Sequence, residues 1–325
     1  MEKSHQIEIE KAVNALKKSE QINHIYLVAC GGSLAFLQPL EYIFSKEIEI
    51  PVSLMPAREF TTRHPKALGP QSLVIACSHS GSTPETVEAV QTASDMGATT
   101  VAFAFAEESD LQKAAQYTIH YSWGKGTDAS DLNTGVAYAF TFDFLNAIVP
   151  NEKFVRGRKA IEKLEKTVER VRKQFGPTTA EWTKELKREP LIYSVASGVL
   201  TGQAYSFAAC WLQEMQWINA GYIHSGEYFH GPFEVTDYDV PFIIAKSVGP
   251  NRVMDERAAD FAKRFSGKVY EIDIATFDMS DIDEDLQDYF SQILAGAVYR
   301  QIAEGFAYQR GHSLDVRRYM WNLKY

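Results

Sequence analysis

The sequence has 325 residues and a mass of 36.6 kDa, which at roughly 150 residues per domain suggests two domains or one large one. Apolar residues make up 45% and charged residues 23%, enough to bury a substantial core. The net charge of −9 excludes a general binder of nucleic acid or anionic membrane, whose affinity rests on Lys and Arg against phosphate. A local site for a small phosphorylated ligand stays open. Cys30, Cys77 and Cys210 are widely spaced and form no CxxC pair, so neither a disulfide framework nor a zinc cluster is indicated. The first 24 residues are charged and polar, and no apolar run reaches the ~20 residues that span a bilayer. A cytoplasmic protein without a signal peptide is expected.

Residues 1–22 predict an amphipathic helix with Ile7, Ala12, Val13 and Leu16 near one face. Short, continuously apolar runs follow at 24–30, 52–55, 72–78 and 99–105, the pattern of buried parallel strands. Helix-compatible stretches separate them, giving the βαβ rhythm of a doubly wound sheet. Residues 151–190 then hold twelve Lys/Arg and seven Asp/Glu, interrupted by Gly176-Pro177. They read as exposed helices linking two globular halves.

After this linker the pattern starts again. LIYSVASG (191–198) matches IYLVACGG (25–32) at an offset of 167 residues. PFIIAKS (241–247) answers SLVIACS (72–78), and KVYEIDI (268–274) answers TTVAFAF (99–105), both at an offset of 169. Three strands repeated in order predict a duplicated α/β unit. The expected domains are 1–150, with the leading helix, and 191–325, joined by the linker 151–190.

In open parallel sheets, ligands bind outside the carboxyl ends of strands, near helix N-termini. The segment Ser78-His79-Ser80-Gly81-Ser82-Thr83-Pro84-Glu85-Thr86 directly follows a predicted strand. Ser82 and Glu85 have capping-box spacing, and Pro84 suits a first helical turn. Several hydroxyls at the positive end of a helix dipole suit a phosphate dianion without Lys or Arg. Cys30-Gly31-Gly32-Ser33 allows close backbone approach to a ligand or serves as a plain tight turn. In the second half, Ser247-Val248-Gly249-Pro250-Asn251 takes the place of the Ser/Thr loop and lacks most of its hydroxyls. One phosphate site per chain is therefore expected, in the first half.

The second half instead carries a predicted helical stretch over Gly198–Gly221 that is apolar nearly all round. Trp211, Glu214, Met215 and Ile218 fall on one face of it. A carboxylate among Trp and Met is either a desolvated base, or is paired with an arginine or turned to water. The segment HSGEYFHGPFE (224–234) then sets His224 and His230 among carboxylates and aromatics. It has no HExxH, HxH or Cys partner, so no metal is assigned. His5, His24, His64, His120 and His312 are left as surface or core residues.

Together, strand-CGGS, strand-SHSGSTPET, a helix ending in Glu-Met-Gln-Trp, and HSGEYFHGPFE resemble the sugar isomerase (SIS) domain family from about residue 24 to the C-terminus. Within it, HSGEYFHGPFE and the tail RRYMWNLKY (317–325) are most similar to deglycases of 6-phosphorylated Amadori products. The resemblance implies two tandem doubly wound, flavodoxin-like parallel-sheet domains. It also implies a sugar 6-phosphate held by Ser78, Ser80 and Thr83 with the N–H groups around His79 and Ser82. Gly31, Gly32 and Ser33 would approach the sugar chain, Glu214 would abstract a proton, and His230 would open the ring. It implies a homodimer in which His230 enters the neighbouring subunit's site, and chemistry needing no metal or redox cofactor. Glucosamine-6-phosphate synthesis is disfavoured, because Trp211 stands where the synthase pattern has Lys. An aldose–ketose isomerase or a non-enzymatic sugar-phosphate sensor are the alternatives. The tail residues Arg317, Arg318, Tyr319, Trp321, Lys324 and Tyr325 either cover the site or dock on a partner subunit. The identity of the released amine is not readable.

Overall fold

The computed structural model describes residues 1–18 and 22–324; Tyr325 of the tail lies outside the described residues. The chain divides into two compact units. Met1–Lys166 with Asp281–Leu286 form the first, and Thr167–Ser280 with Gln287–Tyr325 the second.

The first unit opens with α1 (Lys3–Lys18), shorter than the helix predicted over 1–22, whose residues 19–21 lie outside the described residues. Ile9, Ala12, Val13 and Leu16 are buried while Ile7 is 54% exposed. The packed face therefore runs through Ile9 rather than Ile7, because α1 lies against β5 and α6 on that side. Next come β1 (His24–Ala29), α2 (Gly31–Glu47), β2 (Val52–Pro56), α3 (Ala57–Arg63), β3 (Ser72–Cys77), α4 (Pro84–Asp95), β4 (Thr99–Ala104) and α5 (Asp110–Ala114). The unit continues with β5 (Tyr117–His120), α6 (Asn133–Ile148) and α7 (Glu152–Ala160). The four predicted strands form, and β5 joins them in a parallel sheet of order β2-β1-β3-β4-β5. Tyr-Thr-Ile-His at an edge is too short and too polar to announce itself as a buried run.

The charged linker is less exposed than its composition predicts. α8 (Leu164–Leu186) runs through Pro177 without a break. Val171, Phe175, Thr179 and Thr183 are buried at four-residue spacing along it, so one face of this charged helix lies in the core. Pro177 removes one helical N–H, and burial of that stripe on both sides of it outweighs the loss.

The second unit continues with β6 (Leu191–Ala196), α9 (Thr201–Ser206), a π-helical segment (Phe207–Met215), β7 (Asn219–His224), β8 (Phe242–Lys246), α10 (Arg252–Phe265), β9 (Val269–Asp273) and α11 (Glu284–Arg310). Its parallel sheet has the order β7-β6-β8-β9, the order of β2-β1-β3-β4. The three repeated strands thus hold matching places, and the repeat is one of topology. Gly31 and Gly198, 167 residues apart, both turn with positive φ (52° and 56°), a backbone region open to glycine at little cost. The helix predicted over 198–221 ends at Met215. Trp217 turns the chain at φ 55°, and Asn219–His224 pairs with β6. An unbroken apolar run fits a buried strand as well as a buried helix, so the boundary was invisible to periodicity. Ile218 consequently leaves the Glu214 face, and its N–H bonds Leu212 O at 2.9 Å.

Candidate active site

β1 and β3 lie side by side with Ala29 opposite Cys77. In a parallel sheet of this order the crevice between their carboxyl ends is the usual ligand site. Two loops meet there. Cys30 precedes α2, whose first turn is Gly31, Gly32 and Ser33, with both glycines exposed. Thr86 of α4 brings Oγ1 to 3.9 Å from the Cys30 sulfur. Burial pushes the Cys77 thiol up to about 12, against hydrogen bonds from the Ser33 and Tyr121 hydroxyls. It is not a nucleophile at neutral pH.

The loop after β3 is internally braced. The buried Ser78 places its hydroxyl 2.9 Å from Thr83 Oγ1. Ser80 and Ser82 are exposed and bond each other at 3.0 Å. Gly81 sits at φ 63°, where a Cβ would fall 2.2 Å from Ser109 Cβ, so the loop closes here only with glycine. The N-cap of α4 is Thr83, and the predicted capping box of Ser82 and Glu85 is not formed. The helix begins one residue later than that box requires, and the Thr83 hydroxyl faces Ser78 instead of its own helix.

His79 stacks on Phe105 with ring centroids 5.0 Å apart, and its Nδ1 lies 3.1 Å from Tyr121 Oη. Partial desolvation beside these rings lowers its pKa below the ordinary imidazole value although the residue as a whole stays exposed, so the ring is neutral at pH 7. The crevice therefore offers an anion hydroxyls and the positive end of α4, not an imidazolium.

The matching strand ends of the second unit hold a buried carboxyl group. Asp255 stands 169 residues after Thr86, on α10, and is completely buried. Its Oδ1 accepts from Ser197 Oγ at 2.7 Å and Ser225 Oγ at 2.6 Å. Burial raises its pKa, against the hydroxyls of Ser225 and Ser197 and the N–H of Ser247. A carboxylate from the chain itself thus stands where the first unit has the buried hydroxyl of Thr86.

Glu214 lies near the end of the π-helical segment. Wide i→i+5 turns are rare and recur at functional sites. Its Oε1 accepts from Arg317 Nε at 2.8 Å, with 23% of the Glu214 side chain exposed and 8% of the Arg317 side chain. Of the environments open to this carboxylate in the sequence, pairing with an arginine is the one observed. His230 is exposed on a turn, its N–H bonded to Glu227 O at 2.9 Å. No hydrogen bond joins the Glu214 and His230 side chains among the described residues. His224 Nδ1 accepts from Gly226 N–H at 3.1 Å.

Comparison with known proteins agrees with this geometry. The SIS domain model matches residues 20–146. The fructosamine deglycase FrlB of Bacillus subtilis (strain 168) is 41% identical over 309 residues, covering 95% of this chain and 94% of the relative. This chain belongs to the SIS family. The fructoselysine 6-phosphate deglycase of Escherichia coli K12 is 26% identical over 327 residues, covering 98% and 92% of the two chains. A Bacillus subtilis crystal structure assigned as a phosphosugar isomerase superposes with a TM-score of 0.96 at 40% identity, covering 100% of both chains. The C-terminal domain of glucosamine-fructose-6-phosphate aminotransferase from Francisella tularensis shares the fold alone, with a TM-score of 0.79 at 15% identity over 97% and 99% of the chains.

In this SIS-family chain, the first unit gathers Gly31, Gly32, Ser33 and the Ser78–Thr83 loop at one pair of strand ends. Three contributors escaped the sequence reading. Tyr121 lies 42 residues from His79, just after the short edge strand β5, and nothing marked it. Asp255 had a signal, because the 169-residue repeat places it opposite Thr86. Arg317 had been marked within the basic tail, but for ligand or partner contact and not as the partner of Glu214. No helix among the described residues is long and apolar enough to cross a membrane.

Proposed function

We propose that this protein is a deglycase that hydrolyses a 6-phosphorylated fructosamine, such as fructoselysine 6-phosphate, to glucose 6-phosphate and a free amino acid. The observation that carries the reading is the hydroxyl-lined crevice at the β1/β3 strand ends, in a chain so similar along its length to a fructosamine deglycase. In this reading the first domain (1–150) binds the sugar phosphate, residues 151–190 connect, and the second (191–325) supplies Glu214 and His230.

Ser78, Ser80, Ser82 and Thr83, with the N–H groups at the start of α4, hold the 6-phosphate. Gly31, Gly32 and Ser33 lie along the sugar. His230 protonates the ring oxygen and accepts the proton of the C2 hydroxyl, which opens the ring to the C2 ketone. Glu214 then removes a C1 proton, acidic because it is α to that ketone, and an enaminol forms. Reprotonation at C2 gives a Schiff base at C1. Water adds to C1, the C1–N bond breaks, and glucose 6-phosphate and the amine leave. Every step is a proton transfer, hydration or elimination, so the chemistry asks for no redox cofactor. The exposure of His230 suits a homodimer in which it reaches the neighbouring subunit's site.

Incubation with a panel of phosphorylated Amadori compounds, coupled to detection of glucose 6-phosphate, tests the reading. Glucose 6-phosphate from at least one of them supports it. Silence across the panel together with interconversion of free aldose and ketose phosphates overturns it in favour of an isomerase.

A further inference from the structure

The contact between Glu214 and Arg317 joins a helix end to a residue 103 positions later in the chain. Arg317 is itself held firmly. Its Nη1 donates to Leu314 O at 2.6 Å and Val316 O at 3.0 Å, and its guanidinium lies 5.3 Å from the Trp321 ring centroid. Asn322 Nδ2 donates to Arg317 O at 3.0 Å. The tail is in turn fastened to the residues that follow Glu214. Gln216 Nε2 donates to His312 O at 2.8 Å, Trp217 packs on His312 at 4.5 Å, and Arg318 lies 4.4 Å from the Trp217 ring centroid. A floppy surface arginine would gain little from a single carboxylate. Here the guanidinium is almost fully enclosed and its direction is set by main-chain carbonyls.

The pair engages one carboxylate oxygen, Oε1, through one N–H. No other hydrogen bond to the Glu214 side chain is present among the described residues, so Oε2 stays available. We propose that Arg317 is the positioning residue of Glu214, fixing Oε1 so that Oε2 faces the substrate and making tail docking a condition for an aligned base. The proposal rests on the reading of Glu214 as the base. It assigns the tail a part in the proton transfer itself, through Glu214, and leaves phosphate binding to the other unit. Orientation of this kind weighs heavily on turnover, since a displacement of about 1 Å in a catalytic group costs roughly 100-fold.

Cys210, four residues before Glu214, reports on the pair independently of activity. Burial and the Glu214 charge push its thiol up to about 11, while Arg317 opposes that rise.

Full-length Arg317→Ala, Arg317→Lys, Glu214→Gln and the double variant Arg317→Ala/Glu214→Gln are compared with the parent. The measurements are turnover of fructoselysine 6-phosphate, melting temperature, and iodoacetamide alkylation of Cys210 at pH 9, read by peptide mass spectrometry. Arg317→Ala is expected to lower kcat about 100-fold with KM within about twofold. Arg317→Lys is expected to recover part of the loss, and the double variant to be no slower than Glu214→Gln alone, as for groups acting as a unit. Cys210 alkylation should slow in Arg317→Ala and quicken in Glu214→Gln. A folded Arg317→Ala with parental kcat, or a loss confined to KM, overturns the proposal while leaving Glu214 as the base. Near-parental turnover in Glu214→Gln overturns the base assignment and the proposal with it.

Discussion

Asp255 accepts the Ser197 hydroxyl at 2.7 Å, at the place in the second unit where Thr86 faces Cys30 in the first. The two crevices are built on the same strand order, and one holds a buried carboxyl group of its own chain. Duplication explains why both exist, and Asp255 gives the second a buried carboxyl group where the first has the hydroxyl of Thr86, which disfavours a phosphate in the second.

Replacing Asp255 by Ala leaves the buried Ser225 hydroxyl without its acceptor and Ser197 with only the longer contact to Asn251 O at 3.4 Å, at a cost of about 1–3 kcal/mol for an orphaned group. Asp255→Asn keeps an oxygen in place and should cost less. Urea unfolding of the two variants checks the order. An Asp255→Ala protein as stable as the parent would show that the network contributes nothing.

Gly81→Ala places a methyl group against Ser109 and forces a left-handed conformation that alone costs an L-residue about 1–2 kcal/mol. The Ser78–Thr83 loop should distort, so calorimetric binding of glucose 6-phosphate should fall at least tenfold while the far-ultraviolet circular dichroism stays near parental. Ser80→Ala/Ser82→Ala, which removes two exposed hydroxyls, should weaken the same binding with little change in melting temperature. Unaltered binding in both proteins would place the phosphate elsewhere.

Glu214→Gln and His230→Ala should each lose about 10²–10⁴-fold in turnover, the usual contribution of a positioned acid or base. Both should still bind glucose 6-phosphate, because the phosphate loop lies in the other unit. Mixing the two inactive proteins tests the dimer. If His230 of one subunit serves Glu214 of the other, mixed dimers regain part of the activity, and if both act within one chain they do not.

The α1–β5 contact should make stability depend on pH. His120 Nδ1 lies 2.8 Å from Glu8 Oε1, and this hydrogen bond holds the His120 pKa above its ordinary 6.5 in spite of burial. Burial alone would raise Glu8, but the ring and main-chain N–H of His120 overcome it and hold Glu8 below 4.5. A raised histidine contributes stability below about 6.5 that is lost as pH rises through its folded value. A depressed carboxylate contributes stability above about 4.5 that is lost as pH falls through its folded value. The pair is therefore strongest between those limits. His120→Ala should lower stability by about 1–2 kcal/mol near pH 6 and by less at pH 8.5. Denaturant unfolding across this range would expose a flat difference if the pair carried no charge.

Much of the fold was legible because buried parallel strands and hydroxyl-rich turns are local signals. Apolar runs marked β1 to β4, a fixed offset marked β6, β8 and β9 as their copies, and Ser78–Thr83 could be placed beyond a strand end. What the sequence hid were the places where a neighbour's packing overrules local pattern. Pro177 stays inside a helix because its flanks are buried. β7 emerges from an apolar run that periodicity assigns to helix, and Ile9 displaces Ile7 because of what lies against α1. Glu214 shows the division most plainly. The amino-acid sequence by itself determined that a carboxylate sits among Trp211 and Met215 near a helix end. Only tertiary structure decided what that carboxylate meets, because Arg317 reaches it after 103 residues of intervening chain, and no local pattern encodes a contact closed over that distance.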